Sequence, residues 1–128
     1  MTDRLILPLP PSVNHSHHQV RKGNRLMKIP SRQTKDFTHE AGWLAKEWAQ
    51  KTGWTKTVKT KLYLRYYIYW PDRRKRDAGN VEKVLSDSLK GILFDDDQYV
   101  LPQAMDFSVD RGNPRVEVEL EVKEVVTK

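Results

Sequence analysis

The chain predicts an α+β fold, a two-layer structure in which a mixed β-sheet carries two main helices on one face. Three observations predict it. Two stretches repeat apolar residues at helical spacing, other stretches alternate apolar with polar residues, and the order is strand, hairpin, helix, strand, helix, strand, strand. At 128 residues and 38% hydrophobic, residues 1–128 make one domain with a modest core that a second subunit can help to complete. No repeat, low-complexity tract or linker divides it.

Arg4 to Leu9 reads as a short strand, stopped by Pro8, Pro10 and Pro11, which remove backbone donors and hold PLPPSVNH as a rigid loop. Gln19 to Ile29 reads as a hairpin turning at Lys22, Gly23 and Asn24, residues that tolerate a tight turn. It projects Arg21, Lys22, Arg25 and Lys28. From Arg32 to Lys51 the stripe Phe37, Ala41, Leu44 and Trp48 predicts a helix, and Gly53 its stop. Thr60 to Trp70 is a strand bulky on both faces, and therefore central, with Leu62, Leu64, Tyr66, Ile68 and Trp70 opposite Tyr63, Arg65, Tyr67 and Tyr69. Pro71 ends it.

A second helix is expected from Asp77 to Gly91, burying Val81, Val84, Leu85, Leu89 and Ile92 and setting Asn80, Lys83 and Asp87 on another face. Two strands follow, Tyr99 to Val109 and Arg115 to Val122, joined through Asp110, Gly112, Asn113 and Pro114. In the last, Val116, Val118, Leu120 and Val122 alternate with Glu117, Glu119 and Glu121, the pattern of a half-buried antiparallel strand.

Composition narrows the function. Cysteine is absent, which excludes disulfide scaffolds, thiolate zinc sites and thiol nucleophiles. No segment has membrane-spanning length and the N-terminus has no signal-peptide pattern, so a cytoplasmic protein with no membrane partner is expected. Walker-type GxxxxGK, GxGxxG and GxSxG patterns are missing, and no small-molecule substrate is expected. The charge is +6 and unevenly placed. Up to residue 35, the seven basic residues Arg4, Arg21, Lys22, Arg25, Lys28, Arg32 and Lys35 face Asp3 alone, while the remainder balances 16 against 16. That segregation suits nucleic acid better than a generic solvated surface, although solubility alone also explains a basic chain. Four Trp and five Tyr leave room for core, stacking or dimer roles.

The run from Trp70 to Gln98, WPDRRKRDAGNVEKVLSDSLKGILFDDDQ, combines phosphate holders with metal holders. Arg73, Arg74, Lys75 and Arg76 suit a phosphate backbone, and Asp77 with Asp95, Asp96 and Asp97 suits a divalent metal that cuts it. Each has a plainer reading. Asp77 is placed to cap the helix, the aspartate trio to form a solvated turn, and Lys83 to be an ordinary exposed lysine rather than a stabiliser of phosphate charge. Asp87 is expected to pair with Lys83 or Lys90, worth roughly 0.3–0.5 kcal/mol, and not to be catalytic. His15, His17 and His18, with His39 far off, lack an HExxH pattern and read as polar loop residues near a phosphate.

Three motifs in this order resemble the RusA-type Holliday-junction resolvases, small cytoplasmic endonucleases of bacteria and their prophages. LPLPPSVN (7–14) is similar to the family's proline-rich N-terminal motif, PDRRKRDAGNVEKVLSDSL (71–89) to its central RRxRDxDNxxKxxxDAL signature, and DDDQYV (95–100) to its DDxQV turn. The central motif is the specific one. The resemblance implies a homodimer that binds four-way DNA junctions and nicks them in symmetric pairs with Mg²⁺, Mn²⁺ substituting, in recombination and repair. It implies Asp77 and Asp96 as catalytic metal ligands assisted by Asp95 or Asp97, Lys83 as the catalytic lysine, and Asn80 as the asparagine of the DN pair. DNA contacts are expected from Asn14, Lys22, Arg25, Lys28, Arg73, Arg74, Lys75, Arg76 and Asn80. One departure stands out: Gly79 occupies the place of the second aspartate of RDxDN. Asp97, Asp95 or Asp87 is then expected to compensate; the alternative is a junction-binding protein that cuts poorly or not at all.

Overall fold

The computed structural model describes residues 3–11, 17–22, 25–30, 32–74, 76 and 78–126, with backbone alone for 17–22 and 25–30. The elements are β1 (Leu5–Leu7), β2 (His17–Lys22), β3 (Arg25–Pro30), α1 (Arg32–Thr52), β4 (Thr60–Trp70), α2 (Ala78–Leu89), a 3₁₀ turn (Asp97–Tyr99), β5 (Val100–Val109) and β6 (Arg115–Val125). They form an α+β structure: a mixed four-stranded sheet with two helices, plus the β2–β3 hairpin as a separate antiparallel pair.

In the sheet the order is β1-β6-β4-β5. β4 is central, as its two bulky faces predict, antiparallel to β6 and parallel to β5. A parallel neighbour requires a crossover, and α2 with the 3₁₀ turn supplies it. The last two strands are consecutive in the chain yet not adjacent, because β4 lies between them. The loop that joins them passes over the end of β4, where the Asp110 N–H donates to the Trp70 carbonyl at 2.8 Å. β5 is left at the sheet edge, the position that tolerates Pro102, which has no N–H for a ladder. Between Tyr66 and Tyr67 the pairing skips one residue: Tyr66 faces Ala104, Tyr67 faces Asp106, and Met105 is the extra residue of a bulge.

Boundaries follow the neighbours available. β1 is shorter than expected, held against β6 only from Leu5 to Leu7 before Pro8 ends it. β6 runs three residues beyond Val122 because the start of β4 still offers a partner, Thr60 facing Val125. Gly53 and Gly91 follow the helices at φ +80° and +85°, the left-handed conformation that ends a helix most easily in glycine.

The apolar residues of β1, β4 and β6 lie on one face and share a single buried cluster with both helices. α1 contributes Phe37, Ala41, Ala45 and Trp48, while Leu44 is half-buried beside them; the 3.6-residue period brings Ala45 to the centre of the stripe instead. α2 contributes Val81, Val84, Leu85, Leu89 and Ser88, whose hydroxyl donates to the Val84 carbonyl at 2.7 Å. Trp48 and Trp54 are structural, each donating its indole N–H to a backbone carbonyl, those of Asp3 and Leu93.

The opposite face of the sheet is polar and internally matched. Arg4 lies 3.8 Å over the Tyr67 ring, Arg115 3.9 Å over Tyr69, and Arg65 4.8 Å over Tyr63. Glu117 accepts from both Arg4 (3.1 Å) and Arg115 (2.7 Å), and Glu121 pairs with Arg65 at 2.7 Å. Burial and these two arginines act in opposite senses on Glu117, and the arginines prevail, holding its carboxyl below the usual range.

Candidate active site and nucleic-acid interface

Helix α2 buries one stripe and leaves another free to do chemistry. Gly79, Glu82, Lys83, Ser86 and Asp87 recur at helical spacing on its flank, and with Asp97, Val100 and Pro102 they line a cavity of about 290 Å³. The structure thus unites Lys83, Asp87 and Asp97, three residues far apart in the chain or separated by a helical turn. Asn80, expected on the same face, falls outside this arc and is half-buried. The expected pairing of Asp87 with Lys83 or Lys90 does not form. Neither Lys83 nor Asp87 has an ion partner among the described residues, and the nearest carboxylate to Lys90 is that of Asp96, at 4.0 Å.

The three consecutive aspartates diverge. Asp95 turns back to the approach of β4, accepting from the Lys59 N–H at 3.0 Å. Asp96 caps the 3₁₀ turn, accepting from the Gln98 backbone N–H at 3.2 Å and from its side-chain amide at 3.0 Å. The backbone amide of Gln98 is the main reason the Asp96 carboxyl sits below the ordinary carboxylate range. Only Asp97 enters the lining of the cavity. Adjacent residues of a tight turn point apart, so a trio in sequence need not be a trio in space.

Glu82 is the residue that sequence reasoning passed over. Its Oε2 accepts the hydroxyl hydrogen of Tyr66 at 2.6 Å, so a side chain from the core face of β4 reaches the cavity wall. The available signal was its position three residues after Gly79 on one helical stripe.

A second, larger depression of about 890 Å³ is lined by Trp70, Asp72, Arg73, Arg74, Arg76 and Phe107, among others. Phe107 is 69% exposed. Asp72 takes up part of the basic run, pairing with Arg76 at 2.7 Å and Arg74 at 3.4 Å. Its carboxyl is pulled down to about 2, above all by the Arg76 hydrogen bond. Arg76 also lies 5.1 Å over the Trp70 ring. Among the described residues of the run, Arg73 alone has neither hydrogen bond nor ion pair. Two consecutive residues at the start of α2 divide between the depressions: Ala78 lines the basic one and Gly79 the acidic one.

Asp77, Lys75 and Asn14, and with them His15, lie outside the described residues. Lys22, Arg25 and Lys28 stand on β2 and β3, and His17 and His18 on β2. His39 is an exposed residue of α1, apart from the cavity. Among the described residues no three His, Cys, Asp or Glu converge into a metal cluster. The donor set nevertheless fits Mg²⁺, which prefers carboxylate oxygens, retains several waters and needs only one or two carboxylates from the protein. Among the described residues no helix is long and apolar enough to cross a membrane.

Comparison with known proteins gives one clear result. A search of curated proteins returns no match. A family model described as Endodeoxyribonuclease RusA matches residues 8–121.

Proposed function

The chain belongs to the RusA endodeoxyribonuclease family, whose activity is on Holliday junctions, and from that premise we propose a single-domain, cytoplasmic, Mg²⁺-dependent enzyme that resolves four-way DNA junctions by symmetric paired nicks in recombination and repair. The observation that carries the reading is that consecutive residues at the start of α2, Ala78 and Gly79, line the basic and the acidic depression respectively. A phosphate backbone held by the basic side is presented, one residue further along, to the side that holds Lys83 and Asp97.

On this reading Arg73, Arg74, Lys75 and Arg76 bind phosphates, the first without competition from a carboxylate among the described residues. Asn80, Asn14 and the hairpin cations Lys22, Arg25 and Lys28 extend the contact. Asp77 and Asp96, with Asp97 or Asp95 assisting, would hold the metal; Asp97 is favoured as the assistant because it alone of the trio lines the cavity with Lys83, Asp96 standing beside it as the cap of the turn. A divalent ion held there would supply an activated water and charge neutralisation at the leaving oxygen. Lys83, with no ion partner among the described residues, directs its ammonium charge at the negative charge that develops on the phosphate.

Paired nicks require two active sites, and β5 offers a seam for a second copy. Its edge away from β4 has no strand neighbour among the described residues, and Leu101, Met105, Phe107 and Val109 are exposed along it; such an edge invites another chain.

Cleavage of a synthetic four-way junction tests the function, with Mg²⁺ and again with Mn²⁺. Asp77→Asn and Asp96→Asn are each expected to abolish nicking and to leave junction binding intact or tighter, since each removes a negative charge beside DNA. A variant that cuts at the wild-type rate overturns its assignment. Gly79 in the cavity wall favours the second reading, a junction binder with impaired chemistry; tight binding without nicks in either metal selects it.

A further inference from the structure

We propose that Glu82 is a metal-holding carboxylate of this site and that Tyr66 is its positioning residue, an assignment that rests on the metal-dependent reading above. Glu82 is half-buried in the wall of the cavity it shares with Lys83 and Asp97. At the start of the same stripe Gly79 contributes no side chain, and Asp87 is more than a helical turn further on. Glu82 is therefore the first carboxylate that the flank of α2 offers to the cavity among the described residues.

Tyr66 makes that carboxylate a fixed one. Its ring occupies the core face of β4 between Leu64 and Ile68 and is only 1% exposed. Phenylalanine would fill such a position equally well, and a buried hydroxyl is costly unless bonded. Here the hydroxyl donates at 2.6 Å to Oε2 of a carboxylate on the cavity wall. A hydrogen bond to an ionised oxygen is short and strong, and it restrains a side chain that otherwise turns about three bonds. One oxygen of Glu82 is committed to Tyr66, and the other remains as a hard donor of the kind Mg²⁺ selects. Outer partners of metal-holding carboxylates commonly change metal affinity by about 10–100-fold when removed.

The structural alternative is that Glu82 only satisfies the Tyr66 hydroxyl. Mn²⁺ separates the two, measured by calorimetry on the full chain without DNA and by the Mn²⁺ concentration giving half-maximal junction cleavage. Glu82→Gln keeps an acceptor for Tyr66 and so preserves the fold; it is expected to weaken Mn²⁺ binding at least about tenfold. Tyr66→Phe is expected to raise the half-activating Mn²⁺ concentration about tenfold while the KM for junction DNA stays unchanged. Adding Gly79→Asp to Glu82→Gln is expected to restore Mn²⁺ binding. If wild type binds Mn²⁺ and cuts, and folded Glu82→Gln keeps wild-type Mn²⁺ affinity, the assignment of Glu82 is overturned and the nuclease reading stands. If wild type neither binds Mn²⁺ nor cuts, the metal-dependent reading falls and takes this one with it.

Discussion

On the outer face of the sheet, Arg4, Arg65 and Arg115 each lie over a tyrosine and are tied to glutamates; along the flank of α2 and the loop before it, Arg73, Lys83 and Asp87 have no partner among the described residues. The residue types are alike and the outcomes opposite. Charges on the sheet satisfy one another, stiffening β1, β4 and β6 and leaving little field for a ligand. Those beside α2 are uncompensated, which costs little at an exposed site and keeps them available for an anion and a cation from outside. Net charge alone conceals this division.

The comparison can be broken most decisively at Lys83. Lys83→Ala is expected to lower single-turnover cleavage of a four-way junction about 10²–10³-fold, with the melting temperature nearly unchanged, since Lys83 is exposed. Cleavage within a few-fold of wild type would place Lys83 with the ordinary surface lysines. The converse experiment belongs to the sheet. Glu117→Ala removes the shared partner of Arg4 and Arg115 and is expected to destabilise by about 1–3 kcal/mol in urea unfolding, while junction affinity stays the same. A loss of affinity without a loss of stability would move the sheet face into the DNA interface.

Arg73→Ala is a smaller perturbation. It is expected to weaken binding to junction and duplex alike, about fivefold, and to reduce the slope of log K against log salt by about 1. A change confined to the junction would make Arg73 a reader of shape rather than a holder of phosphate.

Smallest is the effect of acid. Asp72, Asp96, Asp110 and Glu117 all have folded pKa values below their unfolded ones, with Asp72 at about 2. The unfolded chain therefore binds more protons in this range, so the stability these groups contribute is present above about pH 4 and is lost as pH falls toward 2. Urea midpoints should decline modestly from pH 5 to pH 2.5; a flat profile would show that these pairs contribute nothing measurable.

Much of this was legible in the chain. The 11-residue alternation of β4 places its two ends without error, and the apolar stripe of α2 names Val81, Val84, Leu85 and Leu89, because both follow from local periodicity; Ile92 lies past the helix and is only partly buried, and buried Ser88 is not apolar. Pairing between strands does not. Nothing in residues 100–125 tells that β4 lies between their two strands, since that depends on the crossover taken by α2. The site shows the same limit. Lys83 and Asp97 were chosen from their motifs, and they do share a cavity, but the turn that sends Asp95 and Asp96 elsewhere is set by backbone angles rather than residue types. Glu82 was missed because its distinction comes from Tyr66, 16 residues away and on another element.

The bulge at Met105 has a consequence for the wall of the basic depression. Strict alternation along β5 from Val100, Pro102 and Ala104 would bring Asp106 and Ser108 to the helix side; the inserted residue advances the phase, so Phe107 and Val109 arrive there opposite Ile68 and Trp70. An anion approaching Arg73 consequently meets Phe107 and Val109 on the β5 side of the depression, with Asp72 the carboxylate in its lining, and Asp106 is not part of that wall. A single residue without a ladder partner acts as a sign selector for that surface, and its effect is felt two positions downstream of where it sits.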